Sequence, residues 1–348
     1  MNLDQPQPIR EHLDLTSLDP YLRKKLPELS GNIKIEQFPS GFSNLTYLIS
    51  DEVDHEYVLR RPPFGANIKG GHDMKREYRI LHALSKHQLN VPEPLDLCTD
   101  DSVLGADFYI MRRIKGIVLR HGSTGTSEAF FSSLSHNAIS TLIELHRLNP
   151  NEIELSDLGN PEGYVARQIN GWTRRYARAK TEDLPGMELL CDWLFKNMPS
   201  EQGVSLIHND YKYDNLILDP ENFSIRAILD WEMATIGCPM MDLGAALGYW
   251  IDQDDDPRLK KLSFSLTHHS GNLTRQQVAE MYAQAQNHKE DNLLFYGVYG
   301  IWRIVVILQQ IYARYLAGHT QDSRFASLGS GIKVLIQHAQ TLLARGHL

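Results

Sequence analysis

Residues 204–232 read VSLIHNDYKYDNLILDPENFSIRAILDWE. Three short apolar runs, 204–207, 216–218 and 225–229, predict strands. Asp219-Pro220-Glu221-Asn222 predicts a turn, so the last two runs form a hairpin. The polar stretch from His208 to Asn215 has the form H-x-D-x-K-x-x-N, and Asp230 stands fifteen residues past Asn215, at the end of a strand. This is the set of groups that phosphoryl transfer needs. Asp210 is expected to accept a hydrogen bond from an attacking hydroxyl. Asn215 and Asp230 are expected to hold Mg²⁺, a hard cation that prefers oxygen ligands. Lys212 is placed to offset charge on the moving phosphoryl group. The plainer reading is a polar turn with Asp and Asn present for turn chemistry. The apolar strand on each side, and a further strand ending in Asp, favour the chemical reading.

Outward from this island the pattern splits in two. On the N-terminal side a leader helix is expected over about residues 14–30 (DPYLRKKL). Strands follow at 33–38, 46–50 and 57–60, with an acidic turn from Asp51 to Glu56. A helix from Asp73 to Leu89 carries Tyr78, Leu81, Leu84 and Leu89 at core spacing, and Pro92 and Pro94 stop it. A last strand covers Phe108–Met111. On the C-terminal side helices are expected at 128–148, 163–179 and 187–197, and from Pro239 to the end. Asp252–Asp256 reads as a solvated loop. Arg303, Gln309, Gln310 and Arg314 interrupt the apolar stretch 293–316, which reads as a buried helix and not a membrane span. The expected class is therefore α+β, with an antiparallel sheet lobe over residues 1–113 and a larger, mainly helical lobe over 114–348.

Composition narrows the function. The chain has 348 residues, 42% hydrophobic and 22% charged, which suits a globular protein of about two domains. Its net charge of -8 argues against nucleic acid or an anionic membrane as partner. Cys98, Cys191 and Cys238 form neither a disulfide framework nor a zinc spacing, and the N-terminus MNLDQPQPIREHLDL has no apolar targeting core. A cytoplasmic location is expected. The fifteen histidines contain no zinc-binding spacing.

The segment HNDYKYDNLILDPENFSIRAILDWEMATIGCPMMDLGA (208–245) resembles the aminoglycoside phosphotransferase and choline kinase-like family. It is most similar to the branch of kinase-like domains fused to acyl-CoA dehydrogenases. The resemblance covers about residues 31–320. It implies a protein-kinase-like, two-lobed fold that uses ATP and Mg²⁺. On that basis Asp210 is the catalytic aspartate, and Asn215 and Asp230 are the metal ligands, with Glu232 as a second acid beside them. Asp242 steadies the catalytic loop through its backbone, and His208 packs behind Asp210. The family usually has Gly where Asn209 stands, and Asn tolerates left-handed backbone better than most residues.

The same resemblance implies a nucleotide side and an acceptor side. The turn from Phe38 to Thr46 is similar to the family's phosphate-covering turn, with Gly41 allowing close approach and Ser43 and Asn44 offering donors. Arg60 stands where the family usually has a phosphate-binding Lys, and Glu77 is its helix partner. Arg61 reads as solvated. The backbone from Met111 to Arg113 is expected to meet adenine. Trp172, Arg175, Tyr176, Tyr249 and Trp250 are the acceptor candidates; aromatics at this spacing are as readily core. The implied reaction is phosphorylation of a small-molecule hydroxyl, with a hydroxyacyl-CoA or related metabolite as the expected acceptor. Alternatives are an aminoglycoside O-phosphotransferase and a non-catalytic pseudokinase binding module. A peptide kinase is disfavoured because no A-P-E motif follows Asp230.

Overall fold

The computed structural model describes residues 13–38, 44–63, 72–120, 127–200, 203–262, 265–286, 292–320 and 322–348. They form two compact units. One comprises the residues up to Leu119 together with Asn215–Met233; the other comprises Arg120–Asp214 and Ala234–Leu348. The sequence expectation placed residues 215–233 with the C-terminal lobe. Pairing decides otherwise, as described below.

The first unit is built on helix α1 (Leu15–Lys25), strands β1 (Lys34–Gln37), β2 (Leu45–Ser50) and β3 (Glu56–Arg61), and helix α2 (Met74–Lys86). Strand β4 (Pro94–Cys98), the one-turn helix α3 (Asp101–Leu104) and strand β5 (Phe108–Arg112) complete the main sheet. The strand order is β1-β2-β3-β5-β4, antiparallel throughout. Pro94 was expected only to end a helix, and it instead opens β4. Period-two alternation sorts the side chains. Tyr47, Ile49, Tyr57, Leu59, Phe108 and Ile110 pack with Leu18 and Leu22 of α1 into one core. The residues between them, Val58, Arg60 and Tyr109, take the opposite side, with Arg60 directly across from Tyr109 in the β3–β5 register. The acidic turn before β3 forms because the Asp51 carboxylate accepts from the amides of Val53 and His55 at 3.0 and 2.9 Å.

A small second sheet belongs to this unit: β6 (Ile117–Val118), then β8 (Leu216–Leu218) and β9 (Ile225–Ile228), in the order β6-β8-β9. Asn90 ties it down, accepting from the Ile228 amide and donating to the Ile225 carbonyl, both at 2.8 Å. These bonds are why the 215–233 hairpin groups with the N-terminal residues.

The second unit contains α4 (Glu128–Arg147), α5 (Tyr164–Ala179), α6 (Met187–Lys196), β7 (Ser205–Ile207) and β10 (Thr235–Gly237). It continues with α7 (Pro239–Gly248), α8 (Pro257–Lys260), α9 (Arg275–Gln286), α10 (Leu293–Leu316) and α11 (Leu328–Arg345). Strands β7 and β10 pair antiparallel, and β10 leads directly into α7. By length and composition α10 would suffice to cross a membrane, but most of it is buried against the other helices of the unit. Helices α7 and α10 touch backbone to backbone. A Cβ on Gly300 would fall inside the radius of the Gly244 carbonyl oxygen, and one on Gly248 would lie 2.5 Å from the Gly300 carbonyl.

The 252–256 loop departs from expectation. Asp252 and Asp255 are not simply solvated. Asp255 and Asp252 both pair with the guanidinium of Arg275, which is 1% exposed, the latter at 3.5 Å. Burying a guanidinium requires counter-charge, and these carboxylates supply it. His338 lies beside Asp255 at 3.9 Å. Burial, then the nearby Arg275, push its pKa from 6.5 down to about 4.

Two outcomes follow from this packing. Gly300→Ala is expected to lower unfolding stability by about 1–3 kcal/mol, as overpacking does, read by urea denaturation. His338 binds its proton less well folded than unfolded, so its contribution to stability is present above pH 6.5 and is lost as the pH falls from there toward about 4. His338→Gln should flatten that part of the stability–pH curve; an unchanged curve would remove His338 from the account.

Candidate active site

The loop after β7 carries Asp210, and its shape is imposed from below. Asp242, in the first turn of α7, is fully buried. Its two oxygens accept from the backbone amides of His208 (2.7 Å) and Asn209 (2.6 Å). His146 of α4, also buried, lies with Nε2 3.0 Å from the same carboxylate, and its Nδ1 is 2.5 Å from the Tyr282 hydroxyl. Burial alone would raise the Asp242 pKa, but hydrogen bonding to His146 and to the His208 amide outweighs it and holds the carboxyl below its usual range. Asn209 takes a left-handed backbone, φ 66°, the conformation that Gly adopts most easily. His208 sits behind the loop with Nδ1 accepting from the Asp210 amide at 3.2 Å. The loop's tyrosines anchor outward: Tyr211 to the Ala138 carbonyl (2.7 Å) and Tyr213 to Asn272 (2.8 Å).

The Asp210 carboxylate meets Tyr249 and Lys212. Tyr249 donates its hydroxyl to Oδ1 at 2.9 Å, and Lys212 Nζ lies 3.1 Å from Oδ2. Lys212 also lies 3.8 Å from Asp214 and over the Tyr249 ring. Burial disfavours the charged lysine, but attraction to Asp210, Tyr249 and Asp214 together outweighs it, so its pKa is raised. Burial pushes the Asp214 carboxyl up. Tyr249, an acceptor candidate, is thus in contact with Asp210. Trp250 is not: its indole donates to the Leu273 carbonyl at 2.9 Å and its ring packs edge-on to Tyr213. Tyr176 is buried on α5. Trp172, on the same helix, is flanked by Arg175 and by Arg303 of α10, with guanidinium carbons 4.5 and 5.3 Å from its ring centroid. Arg303 Nη2 donates to the Asn209 carbonyl at 2.7 Å.

In the other unit a second charged cluster forms around Arg60. Its Nη2 lies 2.6 Å from Asp230 and 3.4 Å from Glu232, and its Nε lies 3.2 Å from Glu77 on α2. Burial pushes the Glu77 carboxyl up even against the attraction of Arg60. Asp230 is left-handed, φ 67°, and a short 3₁₀ turn follows it. Asn44 was expected to face phosphate. It is 2% exposed; its Nδ2 donates to Glu232 at 2.9 Å and its Oδ1 lies 2.8 Å from His72 Nδ1. It therefore positions Glu232. Gly41 and Ser43 lie outside the described residues.

One expectation on this side is corrected. Arg61 is not solvated: it is 2% exposed, because the β3 alternation turns it inward, and its Nε donates to the Pro62 carbonyl at 3.1 Å. At 111–113 part of the backbone already has strand partners. Met111 pairs with Val58 and Pro94, and the amides of Arg112 and Arg113 donate to Glu93 (2.8 Å) and Glu56 (3.4 Å) carbonyls. The β3–β5 ladder simply runs further than the sequence suggested. The Arg112 and Arg113 side chains pair with Glu93 and Glu56.

Asp230, Glu232 and Asn215 offer hard oxygen donors and no nitrogen or sulfur, a set suited to Mg²⁺. Among the described residues no three His, Cys, Asp or Glu converge as a self-sufficient metal site. A pair of carboxylates with an amide fits an ion that keeps water and phosphate oxygens as its other ligands. The convergence of Asp230 and Glu232 on one Arg60 nitrogen shows that both carboxylates already point at a shared positive charge.

A clamped catalytic-type aspartate loop and an Arg–Glu–Asp cluster on a five-stranded sheet define a phosphotransferase of kinase-like fold. The chain belongs to the phosphotransferase enzyme family, whose model matches residues 34–272. It is 32% identical to acyl-CoA dehydrogenase family member 11 of Homo sapiens, over 89% of this chain and 40% of that protein. To member 10 of Mus musculus it is 32% identical, over 93% of this chain and 31% of that protein. The chain thus spans two fifths or less of these curated relatives. Among solved structures, a Ralstonia eutropha protein provisionally described as an aminoglycoside phosphotransferase superposes with TM-score 0.78 and 29% identity, covering 95% and 99% of the two chains. A spectinomycin phosphotransferase, solved with ADP and spectinomycin, shares the fold at TM-score 0.63 and 12% identity, over 96% and 99%.

Sequence reasoning missed His146, Tyr282 and Arg303. His146 and Arg303 each occur singly on an apolar helix face, and the charge itself was the available signal.

The Asp242 clamp can be tested directly. Asp242→Asn leaves one acceptor oxygen for two backbone amides, so one donor is orphaned. Unfolding stability at pH 7 should fall by about 1–3 kcal/mol. Urea denaturation at the wild-type midpoint would show that this carboxylate does not hold the loop.

Proposed function

We propose that the chain is an ATP- and Mg²⁺-dependent small-molecule kinase that phosphorylates a hydroxyl group, on a hydroxyacyl-CoA or a related hydroxylated metabolite. The observation that carries this reading is the Asp210 loop. Its backbone is gripped by buried Asp242, and its carboxylate is oriented by Tyr249 and Lys212. Such a carboxylate is built to hold one proton donor in one direction.

In this reading Asp210 orients the acceptor hydroxyl and receives its proton. The hydroxyl oxygen forms a bond to the γ-phosphorus as the bond to the β-phosphate oxygen breaks, and ADP leaves. Lys212, released from part of its pairing with Asp210 as that carboxylate takes the proton, offsets charge on the phosphoryl oxygens. Arg60, braced by Glu77, grips nucleotide phosphates and can do so with two parallel hydrogen bonds. Asn215, Asp230 and Glu232 would hold Mg²⁺, which when bound neutralises phosphate charge. Nucleotide use is supported by the ADP in the spectinomycin phosphotransferase and the GDP in an aminoglycoside 2′-phosphotransferase of the same fold. The acyl-CoA preference is supported by the acyl-CoA dehydrogenase names of the relatives.

ADP formation measured across hydroxyacyl-CoAs, amino alcohols, sugars and aminoglycosides would identify the acceptor. With it in hand, Asp210→Asn should lower kcat by about 10²–10⁴, the range for lost acid–base help, while calorimetry shows Mg·ATP affinity retained. Full activity in Asp210→Asn would overturn the proposal.

A further inference from the structure

Arg303 stands out in the second unit. It is 3% exposed, and it sits in the middle of α10 among Tyr249, Tyr299, Tyr164 and Asp210. Its Nη2 is used on the Asn209 carbonyl, but its buried Nη1 has no hydrogen-bond partner among the described residues. No carboxylate forms an ion pair with it there, unlike Arg275, which has Asp252 and Asp255. Asp210 is the carboxylate in its field, and Asp210 is already engaged by Tyr249 and Lys212. A buried guanidinium with an idle donor is costly. Trp172 fixes its plane on one side, and on the same indole lies Arg175, which is exposed.

We propose that Arg303 is a specificity-determining residue whose Nη1 binds a carboxylate or acyl oxygen of the acceptor, with Arg175 adding a second positive charge over Trp172. This rests on the kinase reading of the Asp210 loop and deepens it. One guanidinium then joins two tasks. Nη2 holds the loop at Asn209, next to Asp210, and Nη1 fixes the acceptor's oxygen at a set distance from the hydroxyl that Asp210 receives. The same pair of cations disfavours positively charged acceptors such as amino alcohols and aminoglycosides, because like charges at close quarters in a partly desolvated site repel strongly.

Three molecules of one skeleton test this: 3-hydroxybutanoate, butane-1,3-diol and 4-aminobutan-2-ol, which place a carboxylate, a hydroxyl and an ammonium at the same position. Binding to the full chain is read by calorimetry in the presence of ADP and Mg²⁺, so no turnover is needed. The carboxylate should bind at least about tenfold tighter than the ammonium, a difference of roughly 1.4 kcal/mol. Equal binding, or preference for the ammonium, would overturn the proposal while leaving the Asp210 assignment standing. In Arg303→Lys a single ammonium cannot serve both the Asn209 carbonyl and the acceptor oxygen. The carboxylate preference should then fall severalfold with ADP affinity unchanged. Arg175→Gln, at an exposed position, should lower the preference by a smaller factor with the fold intact. If both variants kept the wild-type order, Arg303 would be a loop support and nothing more.

Discussion

The buried Asp242 carboxylate is the constraint on which the second unit is organised. A charge with no solvent access must find hydrogen bonds, and here it finds the amides of His208 and Asn209 and the ring of His146. Those bonds accompany the left-handed step at Asn209, after which the side chain of Asp210 meets Tyr249 and Lys212. The helix that carries Asp242 is held in turn by α10. The glycines of the two helices let their backbones meet, and α10 brings Arg303 to the Asn209 carbonyl. The loop is therefore gripped by an anion at its amides and a cation at its carbonyl.

The first unit solves a different problem. It must keep four charged side chains together on one face of a sheet whose other face is apolar. Strand alternation does the sorting, sending Leu59 to the core and Arg60 to the side of Tyr109 and Glu77. Asn44 and His72 then restrain Glu232 from the far side. One guanidinium faces three carboxylates, so the cluster keeps an excess of negative charge.

Much of the site was legible because it lies in short, ordered sequence. Asp210, Lys212 and Asn215 fall in one eight-residue run, and a hairpin with a clear turn signal separates them from Asp230. The strands and helices around them carry plain periods of two and 3.6. What was misread has a common cause. Arg61 and the Asp252–Asp255 pair look solvated from their neighbours in the chain, but Arg61 is buried and the two carboxylates are drawn to the buried guanidinium of Arg275. The amides of Arg112 and Arg113 likewise go to carbonyls 19 and 57 positions away in the chain.

The sequence by itself determined the class of fold and the order of most of its elements, and it singled out the candidate phosphoryl-transfer groups. Those depend on local periodicity and on spacing within a few tens of residues. Only the tertiary structure decided which charge meets which: that Tyr249 and not Trp250 reaches Asp210, that His146 backs Asp242, and that Arg303 spans the loop and the Trp172 ring. The physical reason is that the worth of a buried charge depends on its partners in space, and a single chain read in order carries no record of the distance between positions 146 and 242, or 209 and 303.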